Sequence, residues 1–114
     1  PKAVGPYSQA IEVNGTLYIS GQIPVNPADG QIQDEITAAA HQSLKNIGAI
    51  LKEAGMTYDN VVKTTVLLAD IADFKAVNEV YAEYFTGDKP ARACYQAAAL
   101  PLGVKVEIEA IAVK

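Results

Sequence analysis

The chain has 114 residues, half of them hydrophobic, and nine Lys and Arg against 13 Asp and Glu give a formal net charge of −4. That is enough for one domain, residues 1–114, around one core, and the mixed composition belongs to a folded chain and not a disordered one. Dispersed cations on an acidic chain exclude a basic nucleic-acid footprint, no apolar run approaches the roughly 18 residues of a membrane span, and a lone Cys94 and a lone His41 exclude an internal disulfide and a Cys/His zinc site.

The opening residues show no charged segment followed by an apolar stretch, so no signal peptide is expected, and the single cysteine suits a reducing, cytoplasmic compartment. Pro1 to Ser8, rich in Pro and Gly, reads as an irregular arm. Ala10 to Val13 and Thr16 to Ser20 flank Asn14-Gly15, a dipeptide that tolerates positive φ at both positions and so signals a hairpin. A loop from Gly21 to Gln33 is punctuated by Pro24, Pro27 and Asp29-Gly30. The first helix is predicted over about Asp34 to Ala54. Ile36, Ala40, Leu44, Ile47, Leu51 and Ala54 form its apolar stripe, Asp34 caps its start and Gly55 stops it.

A strand follows at Val61 to Leu68. The second helix is predicted over about Ile71 to Phe85, capped by Asp70, with Phe74, Val77, Tyr81 and Tyr84 as its buried stripe. A turn at Gly87 to Pro90 leads to a strand near Ala93 to Ala98. After a break at Leu100 to Gly103, Val104 to Val113 alternates, with Val106, Ile108, Ala110 and Ala112 on one face. The order β-β-α-β-α-β-β is an α+β pattern in which two helices cover one face of a mixed sheet. Ile111 and Val113 leave apolar residues on the other face as well. That face is either simply exposed or buried by association.

There is no phosphate-binding glycine loop, no GxSxG elbow and no Cys–His pair with a third member. Arg92, the only arginine, stands at the mouth of a strand, where its planar fork suits the carboxylate of an acidic substrate. The alternative is a surface ion pair with one of the 13 acids. Glu107 lies inside the last strand, on the face of Lys105, Glu109, Ile111 and Val113. Half-buried, its pKa would rise toward neutrality and make it a general acid or base; fully solvated, it would be ordinary. Cys94 has no histidine near it in sequence and reads as inert, and His41 reads as a boundary residue of the first helix. Tyr7 either anchors the N-terminal arm or lines a pocket.

Gly5-Pro6-Tyr7-Ser8-Gln9-Ala10 and Ile19-Ser20-Gly21-Gln22-Ile23-Pro24 resemble the two N-terminal motifs of the RidA/YjgF family. Phe74, Val77, Asn78, Tyr81, Tyr84 and Phe85 are similar to its second helix. Pro90-Ala91-Arg92-Ala93-Cys94, Leu100-Pro101 and Val106-Glu107-Ile108-Glu109-Ala110 resemble its C-terminal signature. The resemblance implies a chorismate-mutase-like fold, a homotrimer built on a central barrel of sheets, and active sites in the clefts between subunits. It further implies hydrolysis of 2-imino acids, such as 2-iminopropanoate and 2-iminobutanoate, to 2-oxo acids and ammonia, with no cofactor and no metal. By the same resemblance Arg92 grips the substrate carboxylate and Glu107 positions or activates water. The backbone at Cys94 meets the substrate nitrogen, and Tyr7, Ser20, Gly21 and Asn78 line the pocket. Lys89 departs from the family, which commonly has a hydrophobic residue there. A trimer that binds a small carboxylate without turnover is the alternative. Glu107 argues against it, since a carboxylate-binding site gains nothing from a second carboxylate. No nucleic-acid or membrane partner is expected.

Overall fold

A computed structural model describes Gly5 and residues 7–114. Of the N-terminal arm, Pro1–Val4 and Pro6 lie outside the described residues. Strand β1 (Ala10–Val13) turns through Asn14 and Gly15, at φ 50° and 81°, into β2 (Thr16–Gln22), the left-handed pair that the Asn-Gly signal implies. Helix α1 spans Ile36–Glu53, β3 Val61–Leu68, α2 Phe74–Tyr84, β4 Ala91–Gln96 and β5 Val106–Val113. The sheet order is β1-β2-β5-β3-β4, antiparallel except for the parallel pair β3–β4. The sheet is therefore mixed, and β4 is an edge strand.

Both helices lie on one face. Leu17, Ile19, Val66, Leu68, Val106, Ile108, Ala110 and Ala112 point into a core shared with Ala40, Leu44, Ile47 and Leu51 of α1 and Val77, Val80 and Tyr81 of α2. The alternation along β5 supplies one wall of that core, and the stripe along α1 supplies the opposite wall.

Three expectations are corrected. Glu35 caps α1, not Asp34: its carboxylate accepts from Thr37 N at 2.6 Å and Ala38 N at 3.3 Å, because the helix begins at Ile36 and so puts Glu35 at the cap position. The strand expected near Ala93–Ala98 is shifted toward the N-terminus to Ala91–Gln96, where β3 pairs with it in register from Lys63↔Ala91 to Leu68↔Gln96. Phe74 is not core: it begins α2 at 40% exposure, while Val80 takes the buried place. Asp70 does cap a short 3-10 turn, Ile71–Asp73, that leads into α2, its side chain accepting from Ala72 N at 2.9 Å.

The second face of the sheet has no helix over it. Direct pairing puts Ile11 beside Tyr18 and Tyr18 beside Ile111, and leaves Ile11, Tyr18, Tyr95 and Val113 between 41% and 53% exposed. Among the described residues no helix is long and apolar enough to cross a membrane.

Candidate active site

The register of the central strands sorts the expected site residues into two groups. Thr64 of β3 pairs with Arg92 on one side and Ala110 on the other, and all three side chains point to the helix face. Leu67 pairs with Glu107 and Tyr95, three residues further along and hence on the opposite face. Arg92 and Glu107 therefore leave the sheet on opposite sides, with β3 between their strands.

The first group belongs to α2 and β4. Arg92 is half-buried, its guanidinium carbon 4.8 Å from the Tyr81 ring centre and 5.5 Å from that of Phe74. Among the described residues no carboxylate lies within ion-pair distance of it. The surface ion pair expected as an alternative is not made. With Asn78, Tyr81, Ala82, Lys89 and Pro90, Arg92 lines an open cleft of about 320 Å³. Lys89 donates from Nζ to the Phe85 carbonyl at the end of α2, which holds it at the cleft wall. Cys94 shares the helix-facing side with Arg92 and packs against the core. Burial pushes its thiol pKa up, with Arg92 opposing, so it is a protonated thiol at neutral pH and not an activated nucleophile.

The second group gathers at a β-bulge. Between the pairs Ile19↔Ala110 and Gln22↔Ile108 the register slips, so that Ser20 and Gly21 together oppose Glu109. The bulge lays the Gly21 backbone against the Glu107 side chain, where a β-carbon at position 21 would fall 2.7 Å from Glu107 Cδ. Glu107 is half-buried there; burial first, and the like charge of Glu109 second, raise its pKa above the ordinary carboxylate range. Ser20 Oγ donates to the Ser8 carbonyl at 2.6 Å, and Gln22 Nε2 donates to Gln9 Oε1 at 2.8 Å. These bonds tie the arm that carries Tyr7 to β2 beside the bulge.

His41 joins neither group. It bridges the two helices, with Nδ1 2.7 Å from Tyr84 Oη and Nε2 3.8 Å from Glu83 Oε2. Among the described residues no three His, Cys, Asp or Glu side chains converge as a metal site.

A family model described as endoribonuclease L-PSP matches residues 1–114. The chain belongs to the endoribonuclease L-PSP family. Its relatives include a mouse protein named 2-iminobutanoate/2-iminopropanoate deaminase, 59% identical over 100% of this chain and 85% of the mouse one. Two solved structures from E. coli superpose over 100% of this chain and 92% of theirs. They are the YjgF gene product, 45% identical at a TM-score of 0.97, and TdcF with bound serine, 43% identical at 0.97. The RidA/YjgF resemblance read from the motifs is thereby the family's own.

Two residues at this L-PSP cleft escape a periodicity reading. Phe74 and Tyr81 count there as core because they share the helical stripe. Their spacing of seven also stacks them on one face of α2, and α2 immediately precedes the strand that bears the only arginine. That juxtaposition is the signal that could have found them.

Proposed function

We propose that the chain is a hydrolytic deaminase that converts reactive 2-imino acids and their enamine tautomers, 2-iminopropanoate and 2-iminobutanoate among them, to 2-oxo acids and ammonia. One observation carries the reading: the only arginine is half-buried at a cleft with no carboxylate to neutralise it. A guanidinium so held is a ready partner for the carboxylate of a small acid, through two parallel hydrogen bonds. The mouse relative named for this reaction and the E. coli relative with bound serine, itself a small carboxylate, support it.

The chemistry needs little more. With the carboxylate on Arg92 and the nitrogen held by the backbone at Cys94, the imine carbon is electrophilic and fixed in place. Glu107, ionised, takes a proton from water as the water oxygen bonds to that carbon. Starting from the protonated imine, that proton then passes to the nitrogen of the carbinolamine, and as the carbon–nitrogen bond breaks Glu107 accepts the hydroxyl proton, leaving the 2-oxo acid and ammonia. A raised pKa makes Glu107 a stronger base than an ordinary carboxylate, which suits it to accept and return a proton.

Arg92 and Glu107 of one copy cannot both reach so small an acid through a hydrogen-bonded sheet. The site is completed between subunits: Arg92, Cys94 and Asn78 from one copy meet Glu107, Gly21, Ser20 and Tyr7 from the next. A homotrimer that closes the uncovered sheet faces on one another supplies that arrangement and removes Tyr18, Tyr95 and Val113 from water. The protein works in the cytoplasm, whose reducing conditions suit a single free cysteine. Cleavage of RNA, named in the family description, requires clustered cations on a phosphate backbone, and here nine are scattered over an acidic chain.

The test generates the imine with threonine dehydratase and traps what is not hydrolysed with semicarbazide. Wild type suppresses semicarbazone formation, and Arg92→Ala and Glu107→Ala do not. Co-refolding the two variants restores suppression, because mixed oligomers contain clefts with both residues intact. Unchanged trapping with wild type would sink the deaminase reading; no restoration on mixing would sink the intersubunit site.

A further inference from the structure

We infer that Tyr81 and Phe74 are positioning residues for substrate binding: their rings hold the Arg92 guanidinium at the cleft in readiness for a carboxylate. The inference rests on the reading of Arg92 as the carboxylate grip. An arginine on an edge strand has many rotamers, and gripping a ligand costs it that freedom. An acidic neighbour could hold it still, but would occupy the same N–H fork that the substrate needs. An aromatic ring attracts the cation through its π-system and takes none of the five N–H donors.

The holding device is itself held. Tyr81 Oη shares a hydrogen bond of 2.7 Å with Thr64 Oγ1, and both residues are buried. Thr64 is the β3 residue paired with Arg92 in the sheet. Tyr81 is thus tied to the neighbour of the residue over which its ring sits, a closed circuit through backbone pairing, hydroxyl bond and ring. Phe85 supports the ring from behind, centroid to centroid at 4.5 Å. Phe74, one residue into α2 and more exposed, adds the second ring seven positions earlier on the same face. Nothing in this arrangement changes as water adds to the imine, so it favours bound substrate and transition state equally and acts on KM, not on kcat.

The test compares Phe74→Leu, Tyr81→Leu and Tyr81→Phe with wild type, by calorimetric binding of 2-oxobutanoate and by KM and kcat for 2-iminobutanoate. Each Leu variant weakens binding and raises KM about five- to tenfold, the size of one partly desolvated cation–π contact, with kcat little changed. Tyr81→Phe keeps the ring and recovers most of what Tyr81→Leu loses. Should Tyr81→Leu fail to fold, the exposed Phe74→Leu decides. Leu variants that bind as wild type does, or that lose kcat at constant KM, overturn the inference. Wild type that binds 2-oxobutanoate through these rings yet hydrolyses no imine leaves the positioning role standing and removes the deaminase reading. Wild type that does not bind it overturns both.

Discussion

Glu107 rests on the bare backbone of Gly21. The bulge at Ser20–Gly21 brings that backbone so close that a methyl carbon would meet Glu107 Cδ at 2.7 Å and Cγ at 3.0 Å. A hydrogen at this position is what lets the carboxylate lie flat on the sheet, half out of water.

Gly21→Ala should therefore turn the Glu107 carboxylate away without replacing any side chain that does chemistry. We expect kcat/KM for 2-iminobutanoate to fall at least about tenfold, part of the roughly 10²–10⁴-fold that a placed general base contributes. The imine-trapping assay, run beside a thermal melt showing a folded variant, measures it. Full activity in a folded Gly21→Ala protein would show that Glu107 needs no such placement.

The raised pKa of Glu107 has two consequences of definite sign. Activity needs the ionised base, so kcat/KM should fall as pH drops through a value above the ordinary carboxylate range, and Glu107→Gln should lack that limb. Stability runs the other way. The folded chain holds this proton more tightly than the unfolded one, so the contribution is fully present below the unfolded pKa and is lost as pH rises through the folded pKa. Glu107→Gln should accordingly melt higher than wild type at pH 7, and the gap should close as the pH falls into the ordinary carboxylate range. Melting curves across pH that stay parallel would refute it.

A second close approach involves no group of the proposed chemistry and should act chiefly on stability. Tyr58 reaches over Gly48 of α1 and donates from Oη to the Leu44 carbonyl at 2.7 Å. Its ring is wedged edge-on against Tyr84 and Phe85, and burial pushes its hydroxyl pKa up to about 12. A methyl at position 48 would meet Tyr58 Cζ at 2.8 Å, and the wedged ring has little room to give. Gly48→Ala should cost about 1–3 kcal/mol in denaturant titration. Tyr58→Phe, which loses only the hydroxyl bond, should cost about 1 kcal/mol. A Gly48→Ala protein as stable as wild type would show that the ring moves freely.

The order of elements was legible because each local signal states its own geometry. Asn14-Gly15 specifies a tight hairpin whatever surrounds it, and the period-two pattern of Val106, Ile108, Ala110 and Ala112 specifies which face of β5 meets the core. The chemical inventory was legible as well: one arginine, one cysteine, one histidine and a carboxylate inside a strand already narrow what the chain can do. Signals that depend on where a helix begins were less secure. Asp34 and Glu35 are both acids at the start of α1, and only the folded first turn shows that Glu35 is the one that reaches Thr37 N. Phe74 fits the stripe of α2 by spacing, yet at the first position of the helix it is 40% exposed and has a guanidinium, not a core, to cover.

What the residues determine by themselves is thus the sequence of helices and strands, the face that α1 and β5 present to the core, and the identity of the groups available for chemistry. The relation between those groups was decided by tertiary structure. Arg92 and Glu107 are fifteen positions apart, and the strand expected near Ala93–Ala98 left Arg92 outside it; which faces the two residues take relative to one another depends on how β3 registers with β4 on one side and β5 on the other. A shift of one residue in either pairing would put them on the same face. That register is set by the packing of Thr64, Val66 and Leu68 under the helices, a long-range condition that no local pattern encodes.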